Sequence, residues 1–432
     1  MERYTGILGI LVLLGIAYLL SNNRKAIKPR IVIWGLGLQL LFGIFILKTK
    51  LGNSIFSWFD KAIRKLLDFS LEGSQFLFGN LAKQEYFIRP QEAPTNPNDF
   101  PFWETWPGFG FQFAFYVLPT VIFFSALMSV LYHIGIMQKL IRIISFIMQK
   151  TMKTSGPETT SISANIFVGQ TEAPLVIKPF ISKMTNSELT AIMVGGFATV
   201  AGGVMAAYVG MLSNIPGIAG HLLAASIMSA PAALVVAKII YPEDIENAKS
   251  IDIENDVFKK DPNKTNILEA ISNGTTDGLK LAANIAAMLL AFISLIALAN
   301  YILDIFIGVK IETILGYIFM PLAWTMGAPL DEAQTLGSLL GQKLVLSELI
   351  AYLNLSNMEI GGSNGISEKT AIIASYALCG FANFASIGIQ LGGIGALAPD
   401  RKKDLSKLVI KALVGGAIAS WLTACIAGIL IT

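Results

Sequence analysis

Apolar run length limits what this chain can fold into more than any other feature. A helix needs about 20 apolar residues to cross the hydrocarbon core of a bilayer. Eight segments approach or meet that length: Ile7–Leu20, Ile31–Leu47, Phe111–Leu131, Leu189–Leu212, Ile218–Ile240, Leu281–Leu303, Ala371–Leu391 and Leu408–Ile431. Charged residues make up only 14% of the chain, against roughly 25% in soluble domains. The expected fold class is an all-α polytopic membrane protein. No basic face carries interleaved aromatics on a soluble module, so nucleic acid is not an expected partner. Cys379 and Cys425 both fall inside apolar runs, which argues for small core residues rather than a disulfide.

Loop charge orients such a chain, because Lys and Arg are retained on the cytoplasmic side. Four basic stretches, Arg24–Arg30, Lys139–Lys153, Lys249–Lys264 and Arg401–Lys407, are placed there by counting spans. Both termini are then expected outside, as are the uncharged link Ser213–Gly217 and the loop Glu85–Pro107. The charges at Arg24–Arg30 follow the first apolar run, whereas a cleaved signal peptide carries them before it. Ile55, Phe56, Phe59, Ile63, Leu66 and Leu67 repeat at helical spacing with charges between them, as in an amphipathic interfacial helix. Its basic residues fall on the outer side in this topology, against the usual bias.

The chain repeats itself. Ser187-Glu188-Leu189-Thr190-Ala191-Ile192 is echoed by Ser367-Glu368-Lys369-Thr370-Ala371-Ile372, and each follows a Gly-Gln pair, Gly169-Gln170 or Gly341-Gln342. Each unit has one span before its hairpin and two after. Three crossings is odd, so the second unit is expected upside down relative to the first. Inverted repeats with broken helices are a signature of secondary transporters, with the site at the repeat interface. The expected organisation is a scaffold at 1–110, a first unit at 111–240, a cytoplasmic loop at 241–278 and a second unit at 279–432.

Residues 155–184 are too few for two spans and a turn, and Gly169, Gln170, Thr171, Glu172 and Pro174 interrupt them. A re-entrant hairpin with its tip at Gly169–Glu172 is the economical reading, since unpaired backbone at membrane depth is tolerated only inside protein or along a cavity. A matching hairpin is expected at about 330–355, with Gln342–Tyr352 as its tip and second arm. Glu172 and Glu348 are costly inside a membrane, by about 2.5–3.5 kcal/mol on insertion scales, and so mark a site. Glu188 follows Thr185 at capping-box spacing and reads as a helix cap. The fourth run is broken by Gly195-Gly196 and Gly202-Gly203 around Thr199, the seventh by Gly380, Asn383, Ser386 and Gly388.

Two carboxylates, two amides and several hydroxyls suit a neutral ligand rich in hydroxyls and ring nitrogens. No P-loop, HExxH or GxSxG motif appears, so neither catalysis nor ATP drive is expected. Uphill movement then requires a coupling ion, and carbonyls freed by a broken helix cradle sodium well.

The run Gly169-Gln170-Thr171-Glu172-Ala173-Pro174-Leu175 resembles the first-hairpin motif of the concentrative nucleoside transporters. Ala198–Gly203, Ser229-Ala230-Pro231-Ala232, Lys343–Tyr352 and Cys379-Gly380-Phe381-Ala382-Asn383-Phe384 are similar to that family too. The resemblance covers about residue 100 to the end. It implies eight spans with two opposed re-entrant hairpins, a homotrimer in the bacterial plasma membrane, and import of nucleosides such as uridine by alternating access. By the same resemblance Gln170, Thr171 and Glu172 contact the nucleobase with Val204 nearby. Glu348, Asn383 and Ser386 bind the ribose, and Phe381 lines the pocket. Asn165, Val168, Thr199 and Val200 would hold Na+, the one cofactor implied. Ser347, Leu349 and Ala385 depart from the family pattern on the sugar side. Proton-coupled relatives often lose the Gln-Thr-Glu-Ala-Pro run that this chain keeps, which favours sodium. Proton coupling, and a passive channel or sensor on the same scaffold, are the alternative readings.

Overall fold

A computed structural model describes residues 2–82, 112–243, 266–361 and 365–431. Among these residues the structure is helical, with no named strand and one isolated bridge, Ile360 to Ile366. The expected loop Glu85–Pro107 and basic stretch Lys249–Lys264 lie outside the described residues.

Six of the eight apolar segments are helical over nearly all their described residues, and the fourth and seventh are helical on either side of breaks at 199–201 and 379–383. α1 spans Glu2–Leu19, α2 Pro29–Lys48 and α3 Lys50–Phe78. Thr49 starts α3 by accepting the Gly52 N–H at 3.0 Å, and Asp60 ties it to the start of a later span through the Ala219 N–H at 3.1 Å. α3 therefore contains the expected amphipathic helix and runs well past it on both sides.

Two series of elements follow in the same order. In the first, α4 (Phe113–His133) leads to amphipathic α5 (Ile136–Met152), then to hairpin helices α6 (Gly156–Asn165), α7 (Ala173–Val176) and α8 (Lys178–Ile181). A span broken into α9 (Asn186–Ala198) and α10 (Gly202–Met211) comes next, then α11 (Ile218–Ile240). In the second, α12 (Ile267–Ile307) leads to α13 (Ile311–Thr325), hairpin helices α14 (Leu330–Val345) and α15 (Glu348–Ser356), broken α16 (Glu368–Leu378) and α17 (Phe384–Leu397), and α18 (Lys402–Leu430). Each hairpin enters through a helix whose third residue is a glutamate. Glu332 accepts the Ser367 N–H at 3.0 Å and its hydroxyl at 2.8 Å. Glu158 reaches the matching Ser187 through Lys238, whose Nζ lies 2.7 Å from Glu158 Oε2 and donates to Ser187 Oγ at 2.9 Å. The echo seen in sequence is thus also an echo of anchoring: the base of each hairpin is fastened to the start of the broken span that follows it.

By length and composition six helices can cross a membrane, and α13 with α14 would add a seventh but for a bend of 117°. α1 is shorter, and the seventh apolar segment is divided between α16 and α17, each too short to span by itself. α12 departs most from expectation. Its 41 residues extend about 60 Å at 1.5 Å per residue, and they take in residues expected for the preceding loop. Gly274 and Gly278 let it approach α4, where an added Cβ would meet Ser129, Ala126, Ile122 and Ser125 at 2.7–2.8 Å. Such small-residue contact is how membrane helices associate when lipid is as apolar as the side chains.

The core is formed by the broken spans with α11 and α18. The spanning windows of α9–α10, α11 and α18 are 83–89% buried, against 11% for α12. The breaks are therefore central, packed with α11 and α18, while α4 and α12, whose windows are 22% and 11% buried, are peripheral.

Candidate functional site

The two broken spans cross at their breaks. Gly380, at φ +108°, lies so close to the end of α9 that a Cβ there would sit 2.6 Å from the Phe197 carbonyl oxygen. Only glycine combines that left-handed backbone with that approach. Each hairpin tip docks beside one crossing strand of chain. At the first, the Gly202 N–H donates to the Phe167 carbonyl at 2.9 Å, and a Cβ on Gly169 would sit 3.6 Å from the Ala201 Cβ. The capping box expected at Thr185 and Glu188 is formed, with the Glu188 carboxylate accepting the Thr185 N–H at 2.8 Å.

The second tip differs from its sequence reading. Gly341 and Gln342 lie inside α14, which continues to Val345, and the break falls at 346–347. Ser347, the departure from the family pattern, caps α15 by accepting the Ile350 N–H at 3.3 Å. Glu348 is the first residue of α15 and is buried. Its Oε1 accepts the Tyr208 hydroxyl at 2.8 Å, and its Oε2 accepts the Asn383 amide at 2.6 Å. Asn383 in turn caps α17, its Oδ1 accepting the Ser386 N–H at 2.8 Å. Glu348, Asn383 and Ser386 are therefore brought together, by a cap that leaves the amide Nδ2 free for the carboxylate. Phe381 is half-buried in the same break.

Gln170 belongs to a second cluster. Its Oε1 accepts the Gln390 amide at 3.0 Å, and the same nitrogen donates to the Met193 carbonyl at 3.0 Å. Thr171 packs toward α17, where a Cβ on Gly393 would lie 2.8 Å from its Cγ2. Val204 is buried in the first turn of α10. Glu172 stands apart from both clusters: it is exposed and turned back on its own tip, accepting the Gly169 N–H at 3.3 Å.

Asn165, Val168, Thr199 and Val200 bracket the Phe167–Gly202 hydrogen bond, two on the hairpin and two at the break. Asn165 is fully buried, and neither Oδ1 nor Nδ2 has a hydrogen-bond partner. An orphaned buried amide is costly, and a cation bound by its oxygen would remove the oxygen's share of that cost. The Thr199 hydroxyl donates to the Gly195 carbonyl at 2.9 Å, which leaves its lone pairs as acceptors. This donor set fits a hard monovalent cation.

Tyr208 and Gln390 were not singled out from sequence, and Lys343 entered only as the first residue of the run Lys343–Tyr352. Gln390 had a legible signal, as a lone amide two turns after Asn383 in an apolar run. A cavity of about 170 Å³ is lined by Lys153, Glu158, Glu188, Lys238 and Glu243 at the base of the first hairpin, and its lining includes none of the expected substrate residues.

Comparison with known proteins gives the same picture over the whole chain. Family models described as Na+ dependent nucleoside transporter N-terminus, nucleoside recognition, and Na+ dependent nucleoside transporter C-terminus match residues 8–81, 114–215 and 221–428. An uncharacterized transporter of Bacillus subtilis is 44% identical over 99% of both chains. Rat sodium/nucleoside cotransporter 1 is 40% identical over 99% of this chain, which covers 64% of that longer protein. The structure of CNTnw in an inward-facing substrate-bound state matches with a TM-score of 0.88 at 40% identity, over 100% of each chain. Broken spans, docked hairpins and these relatives define a multi-pass membrane carrier, not an enzyme. The chain belongs to the concentrative nucleoside transporter family.

Proposed function

We propose that the protein is a sodium-coupled nucleoside symporter that binds its substrate along α17. The observation that carries this reading is the spacing of the two polar clusters. Asn383 at the start of α17 holds Glu348, and Gln390, two turns on, holds Gln170. Seven residues rise about 10 Å and return to the same helix face, a span that matches a ribose and its base. Glu348, Asn383 and Ser386 are positioned for sugar hydroxyls, Gln170 and Thr171 for the base, with Val204 and Phe381 as apolar walls.

The orphaned Asn165 amide supports sodium at Asn165, Val168, Thr199 and Val200. Because these residues lie beside the Phe167–Gly202 hydrogen bond that joins the first tip to the α9–α10 break, ion occupancy there would fix the position of Gln170 and so couple the ion to the substrate. Glu172, exposed at the same tip, is assigned to the base only when the tip closes on substrate. In this reading the two halves are inverted, both hairpins are re-entrant, and both termini lie outside a bacterial plasma membrane. The exposed faces of α4 and α12 meet lipid or the neighbouring subunits of a homotrimer.

Uridine uptake into proteoliposomes, with and without an inward sodium gradient, tests the proposal. Accumulation above the equilibrium ratio only with the gradient is expected. Uptake that ignores sodium but follows a proton gradient would transfer the coupling to protons, and uptake that never exceeds equilibrium would make the protein a channel.

A further inference from the structure

Lys343 is fully buried, and its ammonium donates to three neutral oxygens: the Ala377 carbonyl at 2.8 Å, the Cys379 carbonyl at 3.0 Å and Ser420 Oγ at 2.7 Å. All three of its protons are used. A buried charge is normally met by an opposite charge. The buried Glu348 carboxylate interacts with it electrostatically but takes none of its hydrogen bonds; two of those go to carbonyls that the α16–α17 break has freed from helical bonding, the oxygen environment in which broken helices hold a coupling cation.

The internal repeat gives this position a meaning. Carrying the Ser187–Ser367 register forward pairs Thr199 with Cys379 and Val200 with Gly380. Thr199 and Val200 are the break residues assigned to sodium in the first half. Lys343 comes from the second hairpin, as Asn165 and Val168 come from the first. The ammonium therefore lies against the break residue that corresponds to one assigned to sodium.

We propose that Lys343 is a tethered cation filling the second half's counterpart of the sodium site, so that this half holds no exchangeable ion and the carrier moves one sodium per nucleoside. The assignment deepens the sodium-symport reading and rests on it. Lys343 acts by position: its charge holds the Ala377 and Cys379 carbonyls where the break must open, Cys379 lying two residues before Phe381 and four before Asn383 on the substrate side.

The test is the sodium dependence of melting in purified protein, comparing sodium chloride with choline chloride. Asn165→Ala, which removes the first cradle, is expected to show no sodium-specific shift. Adding Lys343→Ala empties the second cradle and is expected to restore a sodium-specific rise of several degrees. Adding Lys343→Met, which fills the space with an uncharged chain, is expected to restore none. No rise with Lys343→Ala would overturn the assignment. Should that variant fail to fold, the wild type decides: nucleoside accumulation in proteoliposomes should follow the first power of the sodium gradient, and a second-power dependence would overturn the proposal. Wild-type uptake indifferent to sodium would refute the symport reading instead, with the melting comparison still judging the cradle.

Discussion

Asn383 donates its amide to Glu348 at 2.6 Å across the interface between the seventh span's break and the second hairpin. With Tyr208 on the other carboxylate oxygen, Glu348 accepts from two donors belonging to two different broken spans. A carboxylate can do this and an amide cannot, because an amide presents one acceptor and one donor group. Glu348→Gln therefore sets an NH2 against either Tyr208 or Asn383. Hydrogen bonds to charged groups contribute about 1.5–3 kcal/mol, and each 1.4 kcal/mol is tenfold. Uridine uptake at matched protein density should fall about tenfold or more; a variant keeping over half the wild-type rate contradicts this role.

Gln390 should matter through Gln170. Gln390→Ala leaves Gln170 Oε1 without its donor and removes a second bond to the helical Met193 carbonyl, the first at a cost of about 1–3 kcal/mol if left unpaired. The half-saturating nucleoside concentration should rise several-fold while the maximal rate changes less than that. In a double-mutant cycle, Gln170→Ala should add little to Gln390→Ala. Full additivity would show that the two amides act independently.

The crossing of the breaks predicts an asymmetry between two glycines of one segment. Gly380→Ala forces a Cβ within 2.6 Å of a carbonyl oxygen at φ +108°, a strain of about 1–3 kcal/mol from the backbone alone. It should lower the melting temperature and abolish uptake. Gly388→Ala meets nothing within 4 Å and should be near neutral. Equal effects of the two would place the breaks apart.

Much of this arrangement was legible beforehand. The apolar segments, the short interrupted helices at 156–181 and 330–356 and the Glu188 cap follow from local rules of run length, proline placement and capping spacing. The Glu348, Asn383 and Ser386 grouping came from family resemblance. Tyr208 and Lys343 were illegible because a tyrosine or lysine in an apolar stretch carries no periodic signal of what it will meet across the fold. Gly341-Gln342 was misplaced for a related reason: leucines on either side continue α14 through a pair that, at Gly169-Gln170, lies in the turn beyond the end of α6.

The buried ion pair at the first hairpin's base gives a stability prediction. Lys238 lies 2.7 Å from Glu158 and 3.0 Å from Glu243, with only a few per cent of the Lys238 and Glu158 side chains exposed. Removing one member of a buried pair typically costs about 3–5 kcal/mol, because the other charge is left uncompensated. Lys238→Met should lower the melting temperature markedly, and Glu158→Gln added to it should recover part of the loss. No recovery would mean that Lys238 acts through Ser187 and Glu243 alone.

By itself the sequence determined that the chain is a membrane protein, where its apolar helices centre and where two of its long apolar runs break. These properties depend on neighbours within a turn or two and on the insolubility of unpaired backbone in lipid. Only the tertiary structure decided that the breaks cross at Gly380, that one face of α17 holds Asn383 and Gln390 for the two hairpins, and that Lys343 donates to the opened carbonyls of the second break. Those are contacts between residues tens to hundreds of positions apart, set by helix packing that no local pattern encodes.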